Sequence, residues 1–197
     1  MRITKAGDRA SSTAARRDQI VAATIAVLAE RGYAATSYDA ICDVAGLSSK
    51  RLISYHFKSK DELLTEVLRR VTADAGAFMR PMLDAADGPA ERLVAYIRSN
   101  VAFVAQQPDH VRAVQHIAAG AGPVPQEEAV AALARLIGLF DAGQQAGAFR
   151  SFDSTLMAVT LRAAIDVVAD RLINGADPLH CAEELTETFL RATRLES

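Results

Sequence analysis

The segment that most constrains the fold is residues 36–60, where two short helices are predicted on either side of a tight turn. Thr36 and Asp39 fit a capping box, so we expect a helix that begins at Ser37. Gly46 has no Cβ and readily adopts the left-handed conformation that ends a helix, so the helix should stop there. Two short helices joined this closely predict a helix-turn-helix motif.

The second helix of the pair should follow a cap at Ser48 or Ser49 and end near His56. Helical spacing turns one set of apolar side chains toward a core, namely Leu52, Ile53 and Phe57. The side chains that point outward are Arg51, Ser54, Tyr55 and Lys58. This basic and hydroxylated face suits the major groove of DNA, because arginine bridges both acceptors of a guanine and hydroxyl groups reach bases or phosphates.

A second capping box, Ser59 with Glu62, predicts the start of the next helix and puts Lys60 in its first turn. A lysine at this end of a helix opposes the helix dipole. Lys60 therefore indicates either an external phosphate partner or an ordinary solvated side chain.

Charge is distributed unevenly along the chain. Residues 1–60 contain ten Lys or Arg against five Asp or Glu, whereas residues 61–197 contain twelve against nineteen. The four lysines all lie in the first segment, at Lys5, Lys50, Lys58 and Lys60. The net charge of −2 thus hides a basic end that coincides with the helix pair and favours a nucleic-acid partner.

Residues 16–70 resemble the DNA-binding domain of TetR-family (TetR/AcrR) transcriptional regulators. The resemblance rests on a first helix from Arg17, on the pairs at 32–33, 36–37 and 45–46, and on the run YHFKSKDEL at 55–63. The chain departs from the family between Ala45-Gly46 and Phe57, a stretch one residue longer than the commonest family spacing. Lys50-Arg51 stands there in place of a small Gly-Thr type pair. The extra residue lengthens either the turn or the recognition helix.

Eleven residues are candidate DNA contacts, lying on the outward face or at the helix ends: Thr36, Ser37, Tyr38, Ser48, Ser49, Lys50, Arg51, Ser54, Tyr55, His56 and Lys60. Thr36 and Ser37 are also caps, a role compatible with phosphate binding at a helix N-terminus. Tyr55 is open to packing at the end of the helix as well as to DNA contact. For His56, which follows Leu52 by one turn, packing is the favoured interpretation.

The whole chain predicts an all-α fold. Hydrophobic residues make up 50% of it, alanine is abundant, and apolar residues recur at i, i+3 and i+4. We expect about nine helices, separated at prolines and glycines such as Pro81. The predicted parts are a mobile arm at residues 1–14, a three-helix DNA-binding head with the helix-turn-helix at 15–60, and a larger helical body for ligand binding and dimerisation at 61–197.

The sequence argues against several other classes of protein. The apolar runs are too short for a membrane span and residues 1–17 lack a signal-peptide core, which predicts a cytoplasmic protein. Cys42 and Cys181 give no disulfide framework, and the histidine spacing suggests no metal site. The sequence has no phosphate loop or nucleophile elbow, so we expect neither a cofactor nor catalysis.

The predicted helix at residues 154–174 is apolar over too wide an arc for one core face. We expect one side to pack on the body and the other to meet a second copy of the chain, together with the last helix. In TetR relatives the last two helices form the dimer interface. The resemblance therefore implies an interface made by Leu161, Ile165, Val168, Leu172, Leu185 and Phe189.

The resemblance also implies a small-molecule pocket in the body. Ten residues are candidates for its lining: Phe78, Met82, Tyr96, Asn100, Phe103, Gln115, His116, Phe140, Met157 and Arg162. Each has a plainer interpretation, because aromatic residues at helical spacing are usually core and Arg162 is one turn from a possible ion-pair partner, Asp166.

Two functions remain open. The favoured one is a homodimeric transcriptional repressor that binds a palindromic operator in double-stranded DNA and is released by an apolar small-molecule effector. The alternative is a helical enzyme or ligand carrier in which Asp166, Arg162 and His116 do chemistry, while the basic head contacts RNA or another acidic partner.

Overall fold

The computed structural model describes residues 4–121 and 127–195. Over these residues the chain forms nine α-helices and no strand, so the predicted all-α fold is confirmed. In chain order the helices are α1 (Thr4–Ala35), α2 (Tyr38–Ala45), α3 (Lys50–His56), α4 (Lys60–Asp84), α5 (Pro89–Gln106), α6 (Pro108–Gly120), α7 (Glu127–Gln145), α8 (Ser154–Ile173) and α9 (Pro178–Thr193).

A first compact unit comprises residues 4–71 and 109–121. It contains α1, α2, α3, the start of α4 and most of α6, with α1 packed on α2 and α2 on α3. Its core is built from apolar side chains on one face of each helix, among them Ile20, Val27, Leu28, Ile41, Ile53, Phe57, Leu63, Leu64, Val67, Ala113 and Ile117. The segment predicted as the head, residues 15–60, is part of this larger unit.

Helix α1 differs from expectation at both ends. The sequence predicts a mobile arm at residues 1–14, whereas α1 includes residues 4–14 as helix, and residues 1–3 lie outside the described residues. Three alanines and Arg9 within residues 4–14 are good helix formers, which accounts for the difference. Near the other end, Gly32 adopts φ 76° and interrupts the helical backbone within α1. That turn leads the chain into α2.

A second compact unit comprises residues 72–108 and 127–195. Here α5 packs on α7, α8 and α9, α7 packs on α8, and α8 on α9. Its core includes Leu93, Ile97, Val101, Leu136, Phe140, Phe149, Leu161, Ile165, Leu185 and Phe189. Eight of the ten predicted pocket residues and all six predicted interface residues belong to this unit, whereas the helix-turn-helix belongs to the first.

Helix α4 continues through Pro81, where the sequence predicts a break. The N–H of Ala85 donates to the carbonyl of Pro81 at 3.2 Å, so the backbone keeps a helical path beyond the proline. Proline lacks only its own N–H bond, and Pro81 is close to the end of the helix at Asp84, where one missing bond is tolerated.

The described residues contain neither a membrane-spanning helix nor a cluster of metal ligands. None of their helices is both long enough and apolar enough to cross a membrane. Nowhere among them do three His, Cys, Asp or Glu side chains cluster as a metal site would require. Cys42 and Cys181 are free, buried thiols.

Candidate nucleic-acid interface

Helix α2 is capped by Ser37. The Ser37 hydroxyl accepts the N–H of Ala40 at 3.2 Å, and the helix begins at Tyr38. Thr36 is not the cap: its side chain is buried, and its hydroxyl donates to the carbonyl of Gly32 at 2.7 Å. Thr36 therefore closes the turn at Gly32 and is removed from the surface predicted to meet DNA. The helix ends as predicted at Gly46, which has φ 63°.

Helix α3 has the predicted extent. Ser49 caps it by accepting the N–H of Arg51 at 3.1 Å, and the N–H of Phe57 donates to the carbonyl of Ile53 at 2.9 Å at the other end. Ile53 and Phe57 are buried, as their spacing predicts. The buried side chains fix which face of α3 is turned away from the core.

The outward face of α3 is formed by Lys50, Arg51, Ser54 and Tyr55, all exposed. Tyr55 is 79% exposed, the highest value among the exposed large hydrophobic residues in the described part of the chain. Lys50 pairs with Asp39 at 3.3 Å, but both side chains are mostly exposed, so the pair contributes less than about 1 kcal/mol. The face thus presents an aromatic ring between cationic and hydroxyl groups, with little to hold it internally.

The other candidate DNA contacts near the helix pair differ in how exposed they are. Ser37 and Ser48 are exposed, whereas Tyr38 is half-buried against the first core. Burial raises the pKa of the Tyr38 hydroxyl, and Asp61 and Glu62 raise it further, so this group stays a neutral hydrogen-bond donor. Tyr38 can donate to a phosphate only at the edge of the surface.

His56 is half-buried at the end of α3, with its ring centroid 5.1 Å from that of Tyr55. Burial lowers the pKa of His56, and the positive charges of Arg17 and Arg16 lower it further. The imidazole is therefore uncharged at neutral pH, which agrees with packing, the favoured sequence interpretation, and gives it no phosphate-binding charge.

Two side chains of α1, neither proposed as a site from sequence, secure the ends of the helix pair. Arg17 Nη1 donates to the carbonyl of His56 at 2.5 Å, and its guanidinium lies 4.2 Å from the centroid of the Phe57 ring. Gln19 Nε2 donates to the carbonyl of Ala45 at 2.6 Å. These bonds satisfy carbonyls that helix ends leave unpaired. They join residues too distant in sequence for a local pattern to reveal.

The start of α4 follows the predicted capping box. The N–H of Glu62 donates to the Ser59 hydroxyl at 3.1 Å, and the Glu62 carboxylate accepts the N–H of Lys58 at 2.7 Å. Lys60 is half-buried; its Nζ lies 4.2 Å from the centroid of the Tyr33 ring and 3.4 Å from the Tyr33 carbonyl oxygen. The Lys60 ammonium is therefore held against Tyr33 and is not fully solvated.

The ten candidates for the ligand pocket divide between the two compact units. Gln115 and His116 belong to the first, and the other eight belong to the second. The His116 ring packs against the Gly32 turn, since a Cβ on Gly32 would be 3.6 Å from it. Both residues of the first unit are half-buried.

Within the second unit, three of the candidates form a polar group. Arg162 pairs with Asp166 at 2.5 Å, as the sequence predicts for that pair, and its positive charge acts on the hydroxyl of Tyr96. Asn100 Nδ2 donates to the backbone carbonyl of Tyr96 at 2.8 Å. Burial raises the pKa of the Tyr96 hydroxyl, against the opposing effect of Arg162. A tyrosine and an arginine thus lie side by side on α5 and α8.

The apolar candidates have varied surroundings. Phe103 is buried with its ring centroid 5.8 Å from that of the half-buried Phe78, and Met157 packs on the second core. Phe140 is fully buried, and its ring is 5.6 Å from that of Phe152. Met82 is 38% exposed. Phe140 is therefore a core residue, which is the plainer of its two interpretations.

An open cleft of about 370 Å³ lies in the second unit, but none of the ten candidates lines it. Its lining is largely polar and comes from α7, α8 and the connection between them: Ile137, Asp141, Gln144, Gln145, Phe152, Ser154 and Thr155. Gln144 is engaged internally, since it donates to the Ser154 hydroxyl at 2.7 Å and accepts the N–H of Phe152 at 3.1 Å. The cleft does not have the apolar character predicted for the pocket.

Four of the six predicted interface residues lie inside the chain's own core. Leu161, Ile165, Leu185 and Phe189 are buried, so they offer no surface to a second copy. Val168 and Leu172 are half-buried against the same core. The sequence shows that α8 is apolar on two sides but not which side faces inward. The exposed apolar side chains of α8 are Leu156, Val159 and Val167.

Comparison with known proteins identifies relatives of the first unit. Residues 20–67 match the family model for bacterial regulatory proteins of the tetR family. The HTH-type transcriptional repressor KstR2 of Mycolicibacterium smegmatis is 38% identical over 88 residues, which make up 45% of this chain and 42% of that protein. The match to this curated relative thus spans less than half of its length.

Solved structures resemble most of the chain. The fatty acid degradation regulator FadR from Bacillus halodurans has a TM-score of 0.80 and 20% identity over 89% of this chain and 94% of that one. The transcriptional regulator FadR from Bacillus subtilis, in complex with stearoyl-CoA, has a TM-score of 0.74 and 20% identity over 87% of this chain and 96% of that one. At this identity the likeness shows the fold.

The helix pair, with its exposed cationic and aromatic face, forms a helix-turn-helix within an all-helical fold. Residues 20–67 match the tetR family of bacterial regulatory proteins, so the resemblance predicted for residues 16–70 is confirmed for this segment. Its relatives are transcriptional regulators and not enzymes. They give no support to the alternative of a helical enzyme with an RNA-binding head.

Proposed function

We propose that the protein is a homodimeric transcriptional repressor that binds a palindromic operator through α3. The observation that carries the proposal is the 79% exposure of Tyr55 beside exposed Arg51 and Ser54 on a seven-residue helix. A tyrosine carries an apolar ring and a hydroxyl together, so at an exposed position it is able to pack on a base or sugar and to hydrogen-bond with a phosphate. Arginine and hydroxyl groups on the same face supply hydrogen bonds to base edges and phosphates.

The second copy of the chain is proposed to dock on the outer face of α8. Leu156, Val159 and Val167 are 65%, 47% and 62% exposed, and the opposite face of α8 is buried in the second core. A helix that is apolar on both sides needs two apolar neighbours. Dimerisation would place two recognition helices roughly 34 Å apart, one turn of DNA, and so read a palindrome.

The effector is proposed to be an apolar small molecule that binds the second unit. Phe78 and Phe103 supply apolar side chains there, and Tyr96 and Arg162, which lie near each other on α5 and α8, are polar groups suited to orient a ligand with an anionic end. The B. subtilis relative solved with stearoyl-CoA supports an acyl ligand of this class. For release, the effector must bind the DNA-incompetent arrangement more tightly than the competent one.

A fluorescence-anisotropy titration tests the proposal. The purified protein is titrated against the DNA upstream of its own gene and against a scrambled duplex, at two salt concentrations, with sedimentation analysis of the complex. We expect tighter binding to the upstream DNA, two chains per site and weaker binding at the higher salt. Long-chain acyl-CoA should then release the DNA. Equal affinity for the two duplexes would contradict the proposed operator.

A regulator of this kind acts where the chromosome is, so the proposal also assigns the protein to the cytoplasm.

Arg135→Ala is a suitable control in the titration. It removes one exposed positive charge from α7. Helix α7 belongs to the second unit, whereas the helix pair belongs to the first. We expect it to leave the affinity for the operator unchanged, whereas a change would indicate an effect of net charge alone.

A further inference from the structure

We propose that Tyr33 is a positioning residue for DNA binding: it holds the Lys60 ammonium for a DNA phosphate, and Gly120 of α6 fixes the Tyr33 ring. The inference rests on the proposed DNA-binding function and extends it to two residues outside the helix-turn-helix. All three residues belong to the first compact unit.

The contact between Lys60 and Tyr33 has two components. Lys60 Nζ lies 4.2 Å from the centroid of the Tyr33 ring, within the range of a cation–π interaction. The same nitrogen donates to the Tyr33 carbonyl oxygen at 3.4 Å. An ammonium group has three donors, so at least one remains for an external acceptor. The ring and the carbonyl thus restrict a flexible side chain while leaving it able to bind an anion.

The position of Lys60 makes this restraint useful. Lys60 is the first residue of α4, and free backbone N–H groups at a helix N-terminus already favour an anion there. Without a bound anion, a lysine at this position opposes the helix dipole, and Tyr33 offsets part of that cost by holding the ammonium over its ring. A side chain held in one place loses less conformational entropy when a phosphate binds.

Tyr33 is itself fixed by two contacts. Its carbonyl accepts the N–H of Thr36 at 3.2 Å as well as the Lys60 ammonium. A Cβ added to Gly120 would lie 2.3 Å from Cγ and Cδ1 of the Tyr33 ring and 2.6 Å from its Cβ. These atoms are the base of the ring and not a flexible tip, so the ring packs directly on the backbone of α6. Any side chain at position 120 must displace Tyr33 or α6.

The small number of lysines allows a test of this geometry without DNA. Reductive ¹³C-methylation labels the side-chain amines, and the chain has only four lysines, so the Lys60 signal can be assigned with Lys60→Arg. We expect an upfield ring-current shift of the Lys60 methyl signal that is kept in Tyr33→Phe and lost in Tyr33→Leu. Gly120→Ala should shift the signal as well, and Gly76→Ala, whose Cβ meets nothing within 4 Å, should not. An unshifted wild-type signal would overturn the proposed contact whatever the protein does with DNA.

The consequence for DNA is tested by a double-mutant cycle on the unmodified protein. We expect Tyr33→Leu and Lys60→Ala each to weaken binding roughly tenfold at low salt and to reduce the salt slope by about 0.9, the value for one phosphate contact. The double variant should be no weaker than Lys60→Ala, and Tyr33→Phe should bind as wild type does.

Two outcomes separate the inference from the proposed function. Additive losses in the double variant, or a Tyr33→Leu loss without a change in salt slope, would show that Tyr33 only supports the fold, and the inference would be overturned while operator binding stands. A wild-type protein that shows no preference for its operator would overturn the proposed function, and with it the role of Lys60 in DNA binding, even if the ring-current shift is present.

Discussion

The guanidinium of Arg17 lies over the ring of Phe57, 4.2 Å from its centroid, while Nη1 of the same group donates to the adjacent carbonyl of His56. One side chain of α1 thereby holds both the last residue of α3 and the buried residue that follows it. The orientation of α3 in the first unit therefore depends on a residue outside the helix-turn-helix.

Arg17→Ala should lower the free energy of unfolding by about 1–3 kcal/mol, because it removes a charged hydrogen bond and a cation–π contact. Arg17→Lys should recover only part of the loss, since an ammonium lacks the planar guanidinium that reaches both partners. Urea unfolding followed by circular dichroism measures the effect. Arg31→Ala, which removes an exposed arginine of α1 paired only with Glu30, is the control and should change stability little.

Arg51→Ala and Tyr55→Ala should each reduce the affinity for the operator about tenfold or more while leaving helicity and dimerisation intact. Both side chains are exposed, so their loss leaves no cavity in the core. Titration of each variant against operator and scrambled duplex, followed by fluorescence anisotropy, measures how much specific binding each substitution removes. Unchanged operator affinity in the double variant would contradict the assignment of α3 as the recognition helix.

Val167→Arg should convert the proposed dimer to a monomer without unfolding the chain, because this side chain is 62% exposed on the outer face of α8. Sedimentation velocity measures the association state, and weaker operator binding should accompany the loss of the dimer. Val130→Arg, at a 69% exposed valine of α7, is the matched control and should leave the dimer intact. A tight Val167→Arg dimer would place the interface elsewhere.

His56 should make the protein less stable as the pH falls below about 6.5. Its pKa in the folded state is lowered by burial, Arg17 and Arg16, so the unfolded chain binds more protons between the folded and unfolded pKa values. Stability therefore rises with pH across that window and is constant below the folded pKa. Urea unfolding at several pH values from about 5 to 7.5 should show a weaker pH dependence in His56→Gln. His180→Gln, at an exposed histidine of α9, should keep the wild-type dependence.

Two glycines of α7 should respond in opposite directions to alanine. A Cβ at Gly138 meets nothing within 4 Å, so Gly138→Ala should stabilise the helix by about 0.5–1 kcal/mol. A Cβ at Gly143 would lie 2.1 Å from the Phe149 ring, so Gly143→Ala should destabilise the protein by about 1–3 kcal/mol. Thermal unfolding of both variants checks the difference. Equal effects would mean that Phe149 does not pack on α7 as described.

Local signals predicted much of the first unit correctly. Gly46 ends α2, and Ser59 with Glu62 opens α4, because each of these effects acts within four residues of the chain. Thr36 and Ser37 are adjacent hydroxyl residues, and the prediction that Thr36 caps α2 is wrong by one residue. The choice between them depends on the turn at Gly32, whose carbonyl takes the Thr36 hydroxyl.

Contacts between distant residues were beyond sequence reasoning. Tyr33 and Lys60 are 27 positions apart, and neither residue type identifies the other as its partner. The periodicity of α8 revealed two apolar faces, but the assignment of Leu161 to the inner one requires the positions of the neighbouring helices. Burial within a helix bundle depends on its neighbours as well as on the spacing of its own residues.

The lysines have a practical consequence for any surface-based assay. Lys50 and Lys58 are exposed at the ends of α3, Lys60 is half-buried at the start of α4, and residues 61–197 contain no lysine. Apart from Lys5 and the α-amine, the amines open to coupling reagents therefore lie on the helix-turn-helix side. An inactive protein in such an experiment would reflect a blocked binding face, whereas immobilised DNA, or a dye coupled to a cysteine introduced in the second unit, would leave that face open.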